Sequence, residues 1–91
     1  MEESKKIHAT EIPHYEGNME KLVEFLVGEL RYDKLVKFHE LLAKRYLLEA
    51  INEFARDRSN LSVALVKVSK SETDTATHME EVWKICEPFT K

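Results

Sequence analysis

The feature that most constrains this chain is a stretch without glycine or proline, residues 34–56, whose apolar side chains change face midway. On a wheel turning about 100° per residue, its first half gathers Leu35, Phe38, Leu41 and Leu42 on one side. Its second half presents Tyr46, Leu47, Leu48, Ala50, Ile51, Phe54 and Ala55, which spread over more than half the circumference. One neighbouring helix covers a narrower stripe than that. The distal half of such a helix needs neighbours on several sides, and a 91-residue chain has few to offer. A symmetry mate supplies the missing cover, so the pattern predicts self-association, with Leu47, Leu48, Ile51 and Phe54 as the candidate face.

The remaining chain fits around this element as a single mainly α domain over residues 1–91, a small helical bundle of three to four helices. Only two glycines and two prolines are present, which disfavours a turn-rich β fold. Residues 1–16 lack helical periodicity and read as an extended arm, loosely alternating over 6–12 as a short edge strand would. Asn18 is placed to cap a first helix over residues 18–30, because its side-chain oxygen can accept from the free amides of the first turn. Met19, Leu22, Val23, Leu26 and Leu30 form its stripe, widened by Phe25 and Val27. Gly28 permits a break, and Asp33 is the next plausible cap.

Beyond the long helix, Ser59 and Asn60 read as a stop and a new cap. Residues 61–69 carry three valines, which suits a strand. Leu61, Ala64, Leu65 and Val68 nevertheless recur at helical spacing, and a strand here would have only the N-terminal arm to pair with, so a short helix is favoured. The polar, Thr-rich residues 71–76 read as a loop. Thr77 and Glu80 match a capping box for a last helix, in which hydroxyl and carboxylate each satisfy a first-turn amide. Met79, Val82, Trp83 and Cys86 follow at i, i+3, i+4 and i+7, Trp83 being the largest core candidate; Pro88 ends the helix and Phe89 is placed to tuck back onto the core.

No constellation in the sequence supports catalysis, a metal or a cofactor. His39-Glu40 opens like a zinc-protease pair but lacks the second histidine one turn on. Glu11 and His14 copy a di-iron spacing, but with a proline between them and no second set. His8, His14 and Cys86 have no spacing that demands zinc, whose structural sites show paired ligands. The expectation is therefore no enzyme, no cofactor and no metal. Cys86, lying on an apolar stripe, reads as a small buried hydrophobe.

One polar alignment stands out. Tyr32, His39, Tyr46 and Glu53 follow one another at seven-residue steps, so they drift only slowly around the helix and form a line beside the apolar stripe. Such a line would suit a groove that recognises a ligand, or an interface sensitive to pH through an imidazole that titrates near neutrality. It equally suits amphipathic side chains that keep their tips wet at the edge of a core.

Charge is segregated along the chain. Residues 1–30 hold seven acids and three bases, residues 31–71 nine bases and five acids, and residues 72–91 five acids and two bases. The basic centre, with Lys34, Lys37, Lys44, Arg45, Arg56 and Arg58, invites a nucleic-acid reading. A net charge of −3 and the interspersed Glu40, Glu49 and Glu53 oppose it, since nucleic-acid binders usually carry a clearly basic domain. The lone cysteine excludes an internal disulfide, the N-terminus lacks an apolar leader, and no apolar run is long enough for a membrane. A cytoplasmic setting without membrane contact is expected, and the excess of Glu, Lys and Arg with no Gln suits a thermophile. The reading is a small self-associating interaction or regulatory module, partnered by a second copy or another protein, with nucleic-acid binding as the alternative.

Overall fold

A computed structural model describes residues 8–13 and 15–89 as three α-helices and a closing 3₁₀ turn, with no strand among them. Helix α1 spans Met19–Gly28, α2 spans Tyr32–Ala55 and α3 spans Ser59–Cys86; the 3₁₀ turn covers Glu87–Phe89. Asn18 caps α1 as its chemistry suggests, its side chain accepting from the Lys21 amide at 2.8 Å. The Tyr15 hydroxyl donates to the Asn18 carbonyl, which fixes the end of the arm to the start of α1.

Helices α2 and α3 form a long antiparallel hairpin, and their contact is made by small residues. Ala43 and Ala50 on α2, with Ser62, Ser69 and Ala76 on α3, are all buried and recur at seven-residue steps. The Ser62 hydroxyl donates across the seam to the Ala50 carbonyl, and the Ser69 hydroxyl to the Ala43 carbonyl, each at 2.7 Å. A serine reaches the main chain of the facing helix only when the two backbones lie very close. The seven-residue step in opposite directions sets the antiparallel register, and the serines satisfy their own polarity through backbone oxygens.

Residues 61–69 are helical, and α3 continues unbroken through residues 71–76, where a loop was expected. The Thr77–Glu80 capping box is accordingly not a helix start; both residues lie inside α3. Thr73, Thr75 and Thr77 donate to the carbonyls of Ser69, Ser71 and Thr73, so their hydroxyls are satisfied by the helix itself. The seam, with Ser69 and Ala76 on either side of the polar run, holds the segment in helical form. Tertiary packing thus overrides the local preference of Ser and Thr for non-helical backbone.

Two expected caps are also displaced. Asp33 lies in the first turn of α2, behind an N-cap at Arg31, and receives a paired hydrogen bond from that arginine at 2.6 and 2.9 Å. This bond holds the Asp33 carboxyl below its ordinary range and raises the Arg31 guanidinium above its own. Arg31 also lies 5.5 Å above the Trp83 ring, tying the start of α2 to the end of α3. Ser59 and Asn60 do not cap α3, which starts behind Arg58. The turn is set instead by the end of α2: the Arg58 amide donates to the Glu53 carbonyl and the Asp57 amide to that of Phe54. This is a Schellman closure, with Asp57 in the left-handed region at φ 64°.

The result is thin, with extents of 55 × 30 × 14 Å. Its radius of gyration, 16.3 Å, exceeds the roughly 12 Å expected of a compact chain this long. Among the described residues no large side chain is fully enclosed; Leu35, Ala43, Ala50 and Ala76 are the buried apolar positions. Trp83 and Cys86 are half-buried and Phe89 is 85% exposed, so the expected return of Phe89 to a core, and full burial of Cys86, do not occur.

Two substitutions test this account. Ala50→Leu, at a side chain 1% exposed, forces the backbones apart and should cost about 1–3 kcal/mol in urea unfolding, whereas Ala55→Leu on the exposed side should be near neutral. Asp57→Gly relieves the left-handed backbone and should stabilise by about 0.5–1 kcal/mol, a rise of a few degrees in Tm.

Candidate interaction surface

The hairpin has two broad faces, and both carry apolar side chains near the turn. On one face a trough runs between α2 and α3. Tyr32 and His39 line the end nearest the start of α2, together with Leu35, Phe38, Met79 and Val82. Val23, Leu26 and Val27 of α1 border this end across a cavity of about 380 Å³. Toward the turn the trough is an open groove of about 460 Å³, whose walls include Leu42, Tyr46, Glu53, Leu61 and Leu65, with His8 of the arm also among them.

The four residues of the seven-step line therefore all lie on the trough, Tyr32 and His39 at the end bordered by α1, Tyr46 and Glu53 toward the turn. His39 is tied across the seam, its Nδ1 2.5 Å from Glu72 Oε1, with both side chains about one-fifth exposed. Its ring also packs edge-on against Phe38. Glu53 is buried, 8% exposed, and flanked by Arg58 at 3.2 Å and Arg56 at 3.6 Å. Its Oε1 accepts no hydrogen bond even so. The Arg58 approach is close enough for charge attraction but is not aligned along an N–H, so that oxygen is held by electrostatics alone.

On the opposite side, Leu47, Leu48, Ile51 and Phe54 are all bare, at 44–66% exposure. Val63 of α3 is exposed as well. Sequence reasoning found these side chains through the excess apolar circumference of α2. It missed the seam of Ala43, Ala50, Ser62, Ser69 and Ala76, because small residues carry little hydrophobic signal; their seven-residue spacing was the available clue.

The arginines of the basic centre are occupied within the chain, whereas its lysines make no ion pair among the described residues. Arg45 pairs with Glu49, Arg56 and Arg58 with Glu53, and Arg31 with Asp33. Among the described residues no three of His, Cys, Asp and Glu group so as to hold a metal ion. His14, and with it the Glu11–His14 and His8–His14–Cys86 combinations, lies outside the described residues, as do residues 6 and 7 of the N-terminal arm. No helix among the described residues is long and apolar enough to cross a membrane. Compared with known proteins, the chain matches no family model, no curated protein and no solved structure.

Removing the cross-seam imidazole tests what the polar line does. His39→Ala should cost about 0.5–1.5 kcal/mol in urea unfolding, the usual value of one intramolecular hydrogen bond, with helix content by circular dichroism unchanged.

Proposed function

We propose that this protein is a non-enzymatic, self-associating interaction module, whose hairpin is completed by a second copy. The observation that carries this reading is the 14 Å thickness of a structure that, among the described residues, encloses no large side chain completely. A helix buries its apolar stripe against another layer, and stable domains have at least two layers around one core. This protomer is one layer.

The surface area supports the same reading. The chain exposes 7720 Å² at a mass of 10.7 kDa. A compact monomer of that mass exposes about 5,500 Å², so the excess is roughly 2,000 Å². The exposed residues 8–13 and 16–18 ahead of α1 contribute part of it, but even half, about 1,000 Å² from each chain, meets the lower bound for a permanent homodimer. Leu47, Leu48, Ile51 and Phe54 form the first candidate for burial, an apolar patch suited to meeting its own copy about a two-fold axis. A cytoplasmic module of this kind would serve as an adaptor or regulatory subunit, with another protein as the second class of partner. Nucleic-acid binding is the weaker alternative, because the arginines of the basic centre are already paired.

Light scattering at micromolar concentration should give a mass of at least two chains, and Ile51→Glu with Phe54→Glu should shift it toward one. A wild-type mass of 10.7 kDa contradicts the reading. Tight, salt-dependent binding of oligonucleotides would favour the alternative, because phosphate contacts release counterions.

A further inference from the structure

Between α1 and the hairpin lies the cavity of about 380 Å³, which the protein's own side chains do not fill. Val23, Leu26 and Val27 of α1 form one wall, and Leu35, Phe38 and Met79 of the hairpin form the facing one. Both walls are apolar, yet they stand apart: α1 buries no residue, and Val23 and Val27 stay at least half exposed. Apolar walls that face each other across a gap forgo the contacts that packing would give, so a molecule that fills the gap is bound favourably.

The size and chemistry of the space decide what fills it. One turn of an α-helix, about 10 Å across and 5.4 Å tall, occupies roughly 420 Å³. The cavity is smaller than that single turn, so a helix of a second copy is too large for it. At roughly 30 Å³ per group, the share of one water in the liquid, it takes about a dozen non-hydrogen atoms. No Asp, Glu, Lys or Arg lines it among the described residues. A charged ligand would therefore lose its hydration and gain no counter-charge. The groove toward the turn differs on this point, because Arg45, Glu49, Glu53 and Arg58 line it.

Two polar side chains of α2 reach the cavity, Tyr32 and His39. The His39 ring is held by Glu72 through Nδ1. A carboxylate only accepts, so the proton of the neutral ring sits on Nδ1 and Nε2 is left as an acceptor. Neither that nitrogen nor the Tyr32 hydroxyl makes a hydrogen bond among the described residues. Tyr32 lies two turns from His39, about 10 Å along the helix, and marks the far end of the space.

We propose that this cavity is a binding site for a small uncharged molecule, an alkyl or aryl body of about a dozen non-hydrogen atoms with a hydroxyl that donates to His39 Nε2. The body lies against Leu26, Leu35 and Phe38 and closes the interface that α1 leaves unpacked. A small apolar cavity with one or two polar groups on its wall is the usual form of a small-molecule site. The inference does not rest on self-association, because the site is built within one chain. It lies on the face opposite Leu47, Leu48, Ile51 and Phe54.

The probes are the linear primary alcohol octanol and its isomer heptyl methyl ether, which has the same length and no donor. In NMR titrations of methyl-labelled protein, octanol should give saturable shifts at Val27, Leu35 and Met79. It should bind about three- to tenfold tighter than the ether, the effect of one hydrogen bond. His39→Leu should remove that preference with helix content unchanged. Leu26→Trp, which fills the space from α1, should weaken octanol about tenfold or more. The inference is overturned if octanol gives no saturable shift up to its solubility, or if the shifts gather at Leu47, Leu48, Ile51 and Phe54 instead. Equal affinity of the wild type for the two probes overturns it as well, since His39 then selects nothing.

Discussion

The α2–α3 seam is the interaction on which everything else depends. Alanines and serines at seven-residue steps let the two backbones approach until serine hydroxyls reach the carbonyls of the facing helix. Such a contact is dense and rigid, and its bonded hydroxyls leave no polarity unmet at the centre. It also has a consequence for the rest of the surface. Because small residues fill the seam, the leucines, valines and aromatics have no place between the helices and stand on the two faces of the hairpin. The stiffness of the pair and its lack of a conventional core have the same cause.

From this follows the contrast between the ends of the hairpin. Near the start of α2, side chains of helix α1 border the trough, and Arg31 ties the end of the hairpin together through Asp33 and the Trp83 ring. Toward the turn, His8 of the arm is the residue from outside the hairpin that borders the trough among those described. Leu42, Tyr46 and Leu65 line an open groove on one side, and Ile51 and Phe54 project on the other. The polar line from Tyr32 to Glu53 marks the trough along its whole length. A proposal that the molecule works by association is a proposal about how those bare surfaces are covered.

Much of this was legible in the sequence. The span of the long helix, the Asn18 cap and the helical spacing of Leu61, Ala64, Leu65 and Val68 each follow from local chemistry, and so does the excess apolar circumference beyond Tyr46. Two expectations failed with consequence: the break at residues 71–76, and the apolar face of residues 61–69, where Leu61, Ala64 and Val68 are exposed while Ser62 and Ser69 are buried. Serine and threonine favour loops only while their hydroxyls compete for the backbone, and here each threonine of the run is bonded one turn back. The seam that holds this segment helical was hidden for a related reason: alanine and serine contribute almost nothing to a hydrophobic pattern, so their regular spacing shows its meaning only when two helices are placed side by side. The caps expected at Asp33 and Ser59 are displaced by a residue or two, to Arg31 and Arg58, neither of which makes a side-chain capping bond.

The central claim is that this fold is complete only as an assembly, and the concentration dependence of unfolding tests it most directly. If two copies share one core, unfolding and dissociation are coupled, and stability rises by about 1.4 kcal/mol for each tenfold increase in concentration. Circular dichroism melts over a hundredfold range of protein concentration should therefore show a midpoint that climbs steadily. A single sharp transition whose midpoint stays fixed over that range would mean that the lone hairpin is stable without a partner, and would contradict the account.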